Sequence, residues 1–352
     1  MGVIEQRRVR RLTASLATMW LLPVGLIVVV AAGVTVGAVP LAVAALLALV
    51  PVPIYLVSVL ALDRFEREPP HLLLFAFVWG ATGAIAIALL MHGVALGAGA
   101  PEFFLAYLSA PVFEEGAKAV VLVVLYVRKR QEFDGIIDGV VYASMAGLGF
   151  AATENILYYS DAYLEGYDRL QATWIVRGLM APFAHPFFTS AIGIGLGIAR
   201  YSRHHAVRVI APATGFSVSV WLHTLWNASA PSYFLAVYVL FMVPAFLLVI
   251  AILFASLLRE GQVIREFLAN DVAGGRLTAA DLRRLATLRG RWASNCGALF
   301  QGGFRAWRRR REAQQAAADL AFLRRAAALE PDCADMAREM MFFEKLRGIS
   351  ER

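Results

Sequence analysis

The sequence predicts an all-α fold, a polytopic membrane bundle of about eight transmembrane helices followed by a small helical cytoplasmic tail. Hydrophobic residues make up 59% of the 352 residues, and the mean hydropathy is +0.63. Both values lie outside the range of soluble globular proteins. The apolar residues are clustered, because they dominate residues 12–258, whereas the segment after 258 is rich in Arg, Glu and Asp. This contrast predicts a membrane domain at 1–258 and a basic helical domain at 259–352.

Eight apolar segments are long enough to cross a bilayer, whose hydrocarbon core requires roughly 20 helical residues. The predicted spans are Leu12–Gly33, Val39–Leu60, Leu72–Ala95, Phe103–Val127, Ile136–Tyr158, Trp174–Ala199, Val207–Ala228 and Tyr233–Leu258. Pro51 and Pro53 in the second span, and Pro186 in the sixth, predict kinks rather than breaks. Neighbouring helices can bind the carbonyl groups that a proline frees.

Basic residues occupy every second connection between the predicted spans. Four arginines precede the first span, Arg128, Lys129 and Arg130 follow the fourth, and three arginines lie between the sixth and seventh. The alternate connections include an acidic loop that contains Asp161. By the positive-inside rule, both chain termini are predicted to be cytoplasmic. A cleaved signal peptide is not expected, because the first apolar run is longer than the usual apolar core of such a peptide.

Rare ionisable side chains recur within these apolar segments. Glu114 and Glu115 lie in the fourth span, Glu154 in the fifth, His185 in the sixth and His223 in the seventh. Burying one charged side chain at the bilayer centre costs about 2.5–3.5 kcal/mol even on the insertion scale, so such residues usually mark a function. At about 1.5 Å rise per residue, their depths overlap in the outer half of the bilayer. The sequence therefore predicts one site where four helices meet.

Imidazole and carboxylate groups that meet at a site within the bilayer are suited to metal-assisted hydrolysis. His and Glu ligate Zn²⁺ and leave a position open for water, and a further Glu can accept a proton from that water as general base. Glu114 and Glu115 point about 100° apart around a helix, so one can be a ligand and the other a base. We predict Glu115, His185 and His223 as ligands of a divalent metal, with Zn²⁺ as the expected ion; the residues leave open which of Glu114 and Glu115 is the ligand and which is the base.

Three further residues are predicted to support this site. Lys118 is placed to pair with either glutamate of the fourth span, at helical spacings of three and four residues. Asn227 lies one turn beyond His223 and could hold a ligand or a reaction oxyanion, so we include it in the catalytic set. Asn155 follows Glu154 directly and is expected to act as a structural partner. A structural ion pair between Glu114 and Lys118 is the alternative interpretation.

Four sequence motifs within the spans match a known family. They are EEGAK at 114–118, DGVVYASMAGLGFAATEN at 138–155, HPFFTSAIGIGLG at 185–197 and LHTLWN ending at Asn227. Together they resemble the PrsW family of intramembrane proteases, which is related to the CAAX-processing and bacteriocin-processing membrane proteases. The resemblance covers about residues 63–258, with the motifs in the family's order.

The resemblance implies an intramembrane endopeptidase that cleaves a membrane-spanning protein, such as an anti-sigma-factor-type regulator, through metal- or glutamate-activated water. It implies that Glu114, Glu115, His185 and His223 form the active site. Glu154 stands where the related CAAX proteases have a His, so its role as a ligand or as a structural acid stays open. The family also implies the plasma membrane of a bacterium, with a cut on the outer side of the substrate.

Two other classes of function are compatible with buried glutamates and histidines. A transporter or channel could use them as a proton or cation pathway, although the predicted groups cluster at one depth instead of lining both halves of the bilayer. A non-catalytic scaffold could bind hydrophobic helices through the same fold. Substrate capture without a cleavage product would indicate the scaffold.

The segment after residue 258 carries 18 basic and 12 acidic side chains. Thr278 is predicted to cap a helix, a second helical stretch runs from about 306 to 329, and a third follows Pro331. The arginines at 308–311 are expected to meet anionic lipid headgroups, and nucleic-acid binding is not expected.

Overall fold

The computed structural model describes residues 24–25, 27–130, 132–229, 233–329 and 339–342. The regular elements in these ranges are helices, as predicted. By residue contacts the chain divides into two compact units. Unit 1 comprises residues 1–62 and 68–250, and unit 2 comprises residues 63–67 and 251–352. The predicted domain boundary at 258 lies close to this division, but the short segment 63–67 was not expected in the second unit.

Ten helices are used in the description below, numbered in chain order. They are α1 (Ile27–Val36), α2 (Ala38–Leu60), α3 (Pro70–Gly97), α4 (Ala110–Arg128), α5 (Ile136–Glu165), α6 (Ala184–Tyr201), α7 (His205–Ser229), α8 (Val243–Phe267), α9 (Ala279–Leu285) and α10 (Leu288–Leu329). Short π-helical turns lie within α3, immediately before α4 and α8, and before the interruption at 181–183 that precedes α6.

Five helices are long and apolar enough to cross a membrane within the described residues. They are Ala38–Leu60, Pro70–Gly97, Ile136–Glu165, Tyr167–Tyr201 and Phe234–Ala273. They coincide with the second, third, fifth, sixth and eighth predicted spans. The chain is therefore a polytopic helical membrane protein.

The other three predicted spans have different outcomes. Most of the first span, Leu12–Gly33, lies outside the described residues, and α1 is its described end. The fourth and seventh spans form α4 and α7, but neither is among the five helices that are long and apolar enough to cross a membrane. In α4 the reason is Glu114, Glu115 and Lys118, the same residues that predict a site. Charged residues within a membrane helix thus lower the hydropathy by which such a helix is recognised.

Helix α5 forms the centre of unit 1. Its most apolar 18-residue stretch is entirely buried, whereas the equivalent stretch of Phe234–Ala273 is only 11% buried. Helices α2, α3, α4 and α6 pack against α5, and α6 also packs against α7. A helix enclosed in this way can present side chains to several neighbours, which explains how residues from four spans reach one site.

Glycines allow these helices to approach at backbone distance. Gly139 of α5 and Gly193 of α6 face each other so closely that a Cβ on either would collide with the other's carbonyl group. Gly147 of α5 lies against the backbone of His185 and Pro186, where a Cβ would sit 2.6 Å from Pro186 N. Small residues at helix crossings are a common feature of membrane bundles. Gly139 and Gly193 therefore mark the close crossing of α5 and α6.

The prolines interrupt two spans differently from one another. In α2 the helical pieces Ala38–Leu49 and Val52–Leu60 meet at Pro51, so the predicted kink is confirmed. In the sixth span the interruption lies at residues 181–183, before Pro186. Pro186 therefore occupies the first turn of α6, where a missing N–H costs no helical hydrogen bond. The kink predicted at Pro186 is wrong by about one turn.

Unit 2 has its own apolar core. Phe65, Ile264, Leu268 and Phe322 are at most 3% exposed and belong to one cluster of buried residues. Phe65 comes from the connection after α2, which explains why residues 63–67 belong to this unit. The predicted N-cap is confirmed, because Thr278 Oγ1 accepts a hydrogen bond from Asp281 N at 3.0 Å.

A buried arginine joins the parts of unit 2. The guanidinium of Arg291 donates to the carbonyl oxygens of Arg64, Phe65, Leu285 and Gln314, at distances between 2.6 and 3.2 Å. Burial lowers the pKa of Arg291 to about 10, which still leaves it charged at neutral pH. Several carbonyl dipoles thus compensate for the loss of water around the charge.

Candidate active site

Helix α4 buries three charged residues within two turns. Glu115 and Lys118 are fully buried, and Glu114 is 9% exposed. Lys118 Nζ lies 2.7 Å from Glu115 Oε1 and 3.7 Å from Glu114 Oε2. It also lies 3.9 Å above the ring of Phe150, which adds a cation–π contact. The predicted pairing of Lys118 is therefore made with both glutamates, but more closely with Glu115.

Both carboxylate oxygens of Glu115 are occupied. Oε1 accepts from Lys118 Nζ and from the ring of His223, whose Nδ1 is 3.0 Å away. Oε2 accepts from Thr189 Oγ1 at 2.8 Å and from Ser219 Oγ at 2.7 Å. Thr189 lies one turn after His185 on α6, and Ser219 lies one turn before His223 on α7. Glu115 thus links three helices.

Glu114 is in a contrasting environment. Its Oε2 atom is buried but makes no hydrogen bond among the described residues. The nearest charged or ligating atoms are Lys118 Nζ and His223 Nε2, each at 3.7 Å. A buried carboxylate oxygen without a hydrogen bond is costly, so it usually has a function or binds a group such as an ion.

The two histidines each use one ring nitrogen to bind a glutamate. His223 donates from Nδ1 to Glu115. His185 Nε2 lies 2.8 Å from Glu154 Oε2, and His185 Nδ1 lies 3.0 Å from Lys118 Nζ. Because an ammonium group can only donate, Nδ1 of His185 accepts and Nε2–H donates to Glu154. In their neutral forms, the rings therefore carry their lone pairs on His185 Nδ1 and His223 Nε2.

Glu154 is held by a residue that the sequence did not reveal. The guanidinium of Arg177 bonds to Glu154 Oε2, donates from Nε to Asn155 Oδ1 at 2.7 Å, and stacks 4.0 Å from the ring of Tyr158. Arg177 lies in the π-helical turn Ile175–Met180, before the interruption that precedes α6. Glu154 Oε2 thus binds side chains from both sides of that interruption. The predicted supporting role of Asn155 agrees with this arrangement.

Asn227 is directed elsewhere. Its Nδ2 atom donates to the carbonyl oxygen of Ala106 at 2.9 Å, in the π-helical turn before α4. The predicted contact of Asn227 with a ligand or an oxyanion stays a prediction. The spacing correctly placed Asn227 one turn beyond His223. It could not show that the side-chain amide hydrogen-bonds to the main chain before α4.

Glu114, His185 and His223 are the described residues that could hold a metal ion together, since one donor atom from each lies within 4.8 Å of the others. The predicted set contained Glu115 in place of Glu114. The difference has a physical reason, because four hydrogen-bond donors already surround Glu115. The charges also suit a cation: three buried carboxylates face the two permanent cations Lys118 and Arg177. His185 Nδ1, the ring nitrogen with the lone pair, accepts from Lys118 Nζ at 3.0 Å, so an ion bound by His185 would have to replace that hydrogen bond. With Lys118 displaced from His185, the donor set fits a divalent metal.

Comparison with known proteins identifies the family. The family model described as "PrsW family intramembrane metalloprotease" matches residues 68–249, which is just over half of the chain and nearly all of the second segment of unit 1, residues 68–250. The chain belongs to the PrsW family. No solved structure matches it significantly.

Curated PrsW relatives also match the chain. Protease PrsW of Bacillus subtilis (strain 168) is 32% identical over 145 residues, which cover 41% of this chain and 63% of that protein. Protease PrsW of Geobacillus kaustophilus (strain HTA426) is 33% identical, covering 40% and 59%. Protease PrsW of Oceanobacillus iheyensis is 30% identical over 174 residues, covering 49% and 76%. The chain thus spans less than two thirds of the first two relatives.

Proposed function

We propose that this PrsW-family chain is an intramembrane endopeptidase that hydrolyses a peptide bond in a membrane-spanning protein. The observation that carries the proposal is the buried Oε2 atom of Glu114, which makes no hydrogen bond among the described residues and faces His223 Nε2 at 3.7 Å. Such an atom is available to a water molecule, a cation or a substrate, whereas Glu115 and Glu154 are engaged by protein groups.

Glu114 is the carboxylate that we assign to the reaction. It accepts a proton from water with one carboxylate oxygen, which leaves the other oxygen to bind an ion, so that the water oxygen can attack the peptide carbonyl carbon. The same carboxyl then gives the proton to the amide nitrogen as the C–N bond breaks. His223 lies beside Glu114 and is oriented by Glu115 through Nδ1. Lys118 lies 2.7 Å from Glu115 and neutralises its charge. Glu115 can therefore orient His223 without strongly repelling the adjacent carboxylate of Glu114.

A divalent metal, with Zn²⁺ as the expected ion, would be held by Glu114, His185 and His223. When bound, such an ion supplies Lewis acidity, which makes water a stronger nucleophile and polarises a carbonyl oxygen. Glu115 and Glu154 support this assignment, because a ligating His usually donates its other ring N–H to a carboxylate. Each histidine makes that second bond.

The proposal includes the orientation of the chain in the membrane and the class of its substrate. The basic connections favour cytoplasmic termini in the plasma membrane of a bacterium, which puts the candidate site in the outer half of the bilayer. The substrate is then a membrane-spanning protein cut near its outer end, such as an anti-sigma-factor-type regulator. Unit 2 would lie on the cytoplasmic side, where its basic residues can meet anionic lipids.

The test compares four variants in cells that co-express a library of single-span membrane proteins. New protein N termini are identified by mass spectrometry. Glu114→Gln, Glu115→Gln and His223→Ala should abolish the products formed with the wild-type chain, whereas the exposed Glu102→Gln should retain them. Wild-type cleavage by all three site variants at normal expression would refute the assignment. Cation flux into proteoliposomes without any peptide product would favour a transporter.

A further inference from the structure

Helix α10 is a hairpin rather than a single rod. Gly303 has φ 67° and ψ −164°, so the chain turns between an arm at 288–302 and an arm at 304–329. Residues 299–305, which we call the hairpin tip, are all exposed. Phe300 is 88% exposed and Phe304 is 67% exposed. A soluble surface rarely leaves two phenylalanines so open to water without a binding role.

The exposed apolar residues of unit 2 concentrate on this hairpin. Among the described residues after Leu258, the exposed large hydrophobic side chains are Trp292, Leu299, Phe300, Phe304 and Met340, of which the first four lie on the arms or the tip. Trp292, Leu299 and Phe300 are seven and eight residues apart, which places them on one face of the first arm. Phe254 and Leu258 of unit 2 are also exposed, but they lie in the helix Phe234–Ala273, which is long and apolar enough to cross a membrane.

Positive charge adjoins the apolar tip. Arg305 and the four arginines at 308–311 fall within the first two turns of the second arm, while Glu312 is the single acidic residue between 288 and 318. Arg311 stacks 4.6 Å from the ring of Trp307, which in turn stacks on Phe304 at 5.1 Å between ring centroids. Aromatic residues and arginines thus form one continuous surface.

We propose that the hairpin tip anchors unit 2 to an anionic bilayer surface, with Phe300 and Phe304 inserted among the lipids and the arginines bound to headgroup phosphates. Trp, Phe and Leu beside Lys or Arg are the residues by which interfacial helices bind such surfaces. The chain itself also favours this partner. Unit 2 is joined covalently to a membrane-spanning unit through α8, so a bilayer surface is always at high local concentration.

The experiment uses the full chain in lipid nanodiscs, with Cys296→Ser and Cys333→Ser removing both native thiols. A polarity-sensitive nitrobenzoxadiazole label is attached at Phe300→Cys or Phe304→Cys. The matched control is Arg283→Cys, an exposed position on α9. Discs contain either phosphatidylcholine alone or phosphatidylcholine with phosphatidylglycerol, each with or without nitroxide-labelled lipid.

The tip labels should emit at shorter wavelength in phosphatidylglycerol discs and be quenched by nitroxide lipid, while the control label stays in water. Each Arg→Gln change at 308, 309 or 310 should lower the ratio of inserted to free tip by about fivefold. Water-like emission at the tip in both lipid compositions would overturn the proposal. So would a blue-shifted label that lipid nitroxides do not quench, because that result means contact with a protein or with a second copy of the chain.

Discussion

Replacing Gly147 by Ala should displace the candidate site without changing any of its polar residues. A Cβ on Gly147 would lie 2.6 Å from Pro186 N and 2.7 Å from the carbonyl carbon of His185. Ordinary van der Waals contact begins at about 3.4 Å, so the backbone of α6 must retreat by about 0.8 Å. The obstacle is main chain rather than a flexible side chain, and hence the strain cannot be relieved by a rotamer change.

A shift of this size would break the alignment of His185. Its two ring nitrogens make contacts of 2.8 and 3.0 Å, to Glu154 and Lys118, and neither tolerates a displacement of 0.8 Å. Misplacing a reacting group by about 1 Å can cost about a hundredfold in rate. We therefore expect Gly147→Ala to lower the rate of peptide cleavage by about a hundredfold.

The assay measures cleavage of one single-span substrate by purified variants in proteoliposomes, normalised to the amount of folded protein. Gly116→Ala is the matched control, since Gly116 lies on α4 between Glu115 and Lys118 and a Cβ there meets nothing within 4 Å. It should retain the wild-type rate. Equal rates for Gly147→Ala and Gly116→Ala, with both proteins folded, would refute the argument that backbone contact positions His185.

Three further results are expected. Arg177→Gln should lower thermal stability and cleavage together, because breaking a buried ion pair costs about 3–5 kcal/mol. Adding Glu154→Gln to this variant should restore part of the stability. Strictly additive losses of stability would contradict the pairing of Arg177 with Glu154. Removal of divalent metal by a chelator should abolish cleavage, and Zn²⁺ should restore it, whereas full activity of a metal-free preparation would remove the ion from the mechanism. Arg291→Met should destabilise unit 2 by about 1–3 kcal/mol, because it leaves carbonyl groups without hydrogen-bond donors. Chemical unfolding measures this change. An unchanged unfolding curve would show that water binds these carbonyl groups instead.

The sequence was sufficient to predict five of the eight spans and the meeting of the polar residues. Hydropathy and basic connections identify membrane helices because a bilayer imposes a fixed length and a charge asymmetry on them. Rare charged residues within the spans identify the site because burying a charge in a bilayer costs free energy. Glu114, Glu115, Glu154, His185 and His223 were named from the sequence. The structure joins them into one network, in which Lys118 connects Glu115 to His185, by contacts of 3.7 Å or less.

The division of labour between the two adjacent glutamates could not be predicted. Helical geometry shows that Glu114 and Glu115 point in different directions, but their partners come from α6 and α7. Thr189 and Ser219 are one turn from the two histidines, so that spacing was a usable signal for them. Arg177 had no such signal, because the interruption at 181–183 breaks the helical phase between it and His185.

The most direct test of the mechanism separates Glu114 from Glu115 in one experiment. Thermal stability and cleavage rate are measured for purified Glu114→Gln and Glu115→Gln in the same proteoliposomes. Glu114→Gln should keep wild-type stability, because its Oε2 atom makes no hydrogen bond among the described residues, yet lose cleavage by about 10²- to 10⁴-fold. Glu115→Gln should lose stability as well, because four donors surround its carboxylate. Cleavage at the wild-type rate by Glu114→Gln would contradict the assignment of this glutamate to the reaction.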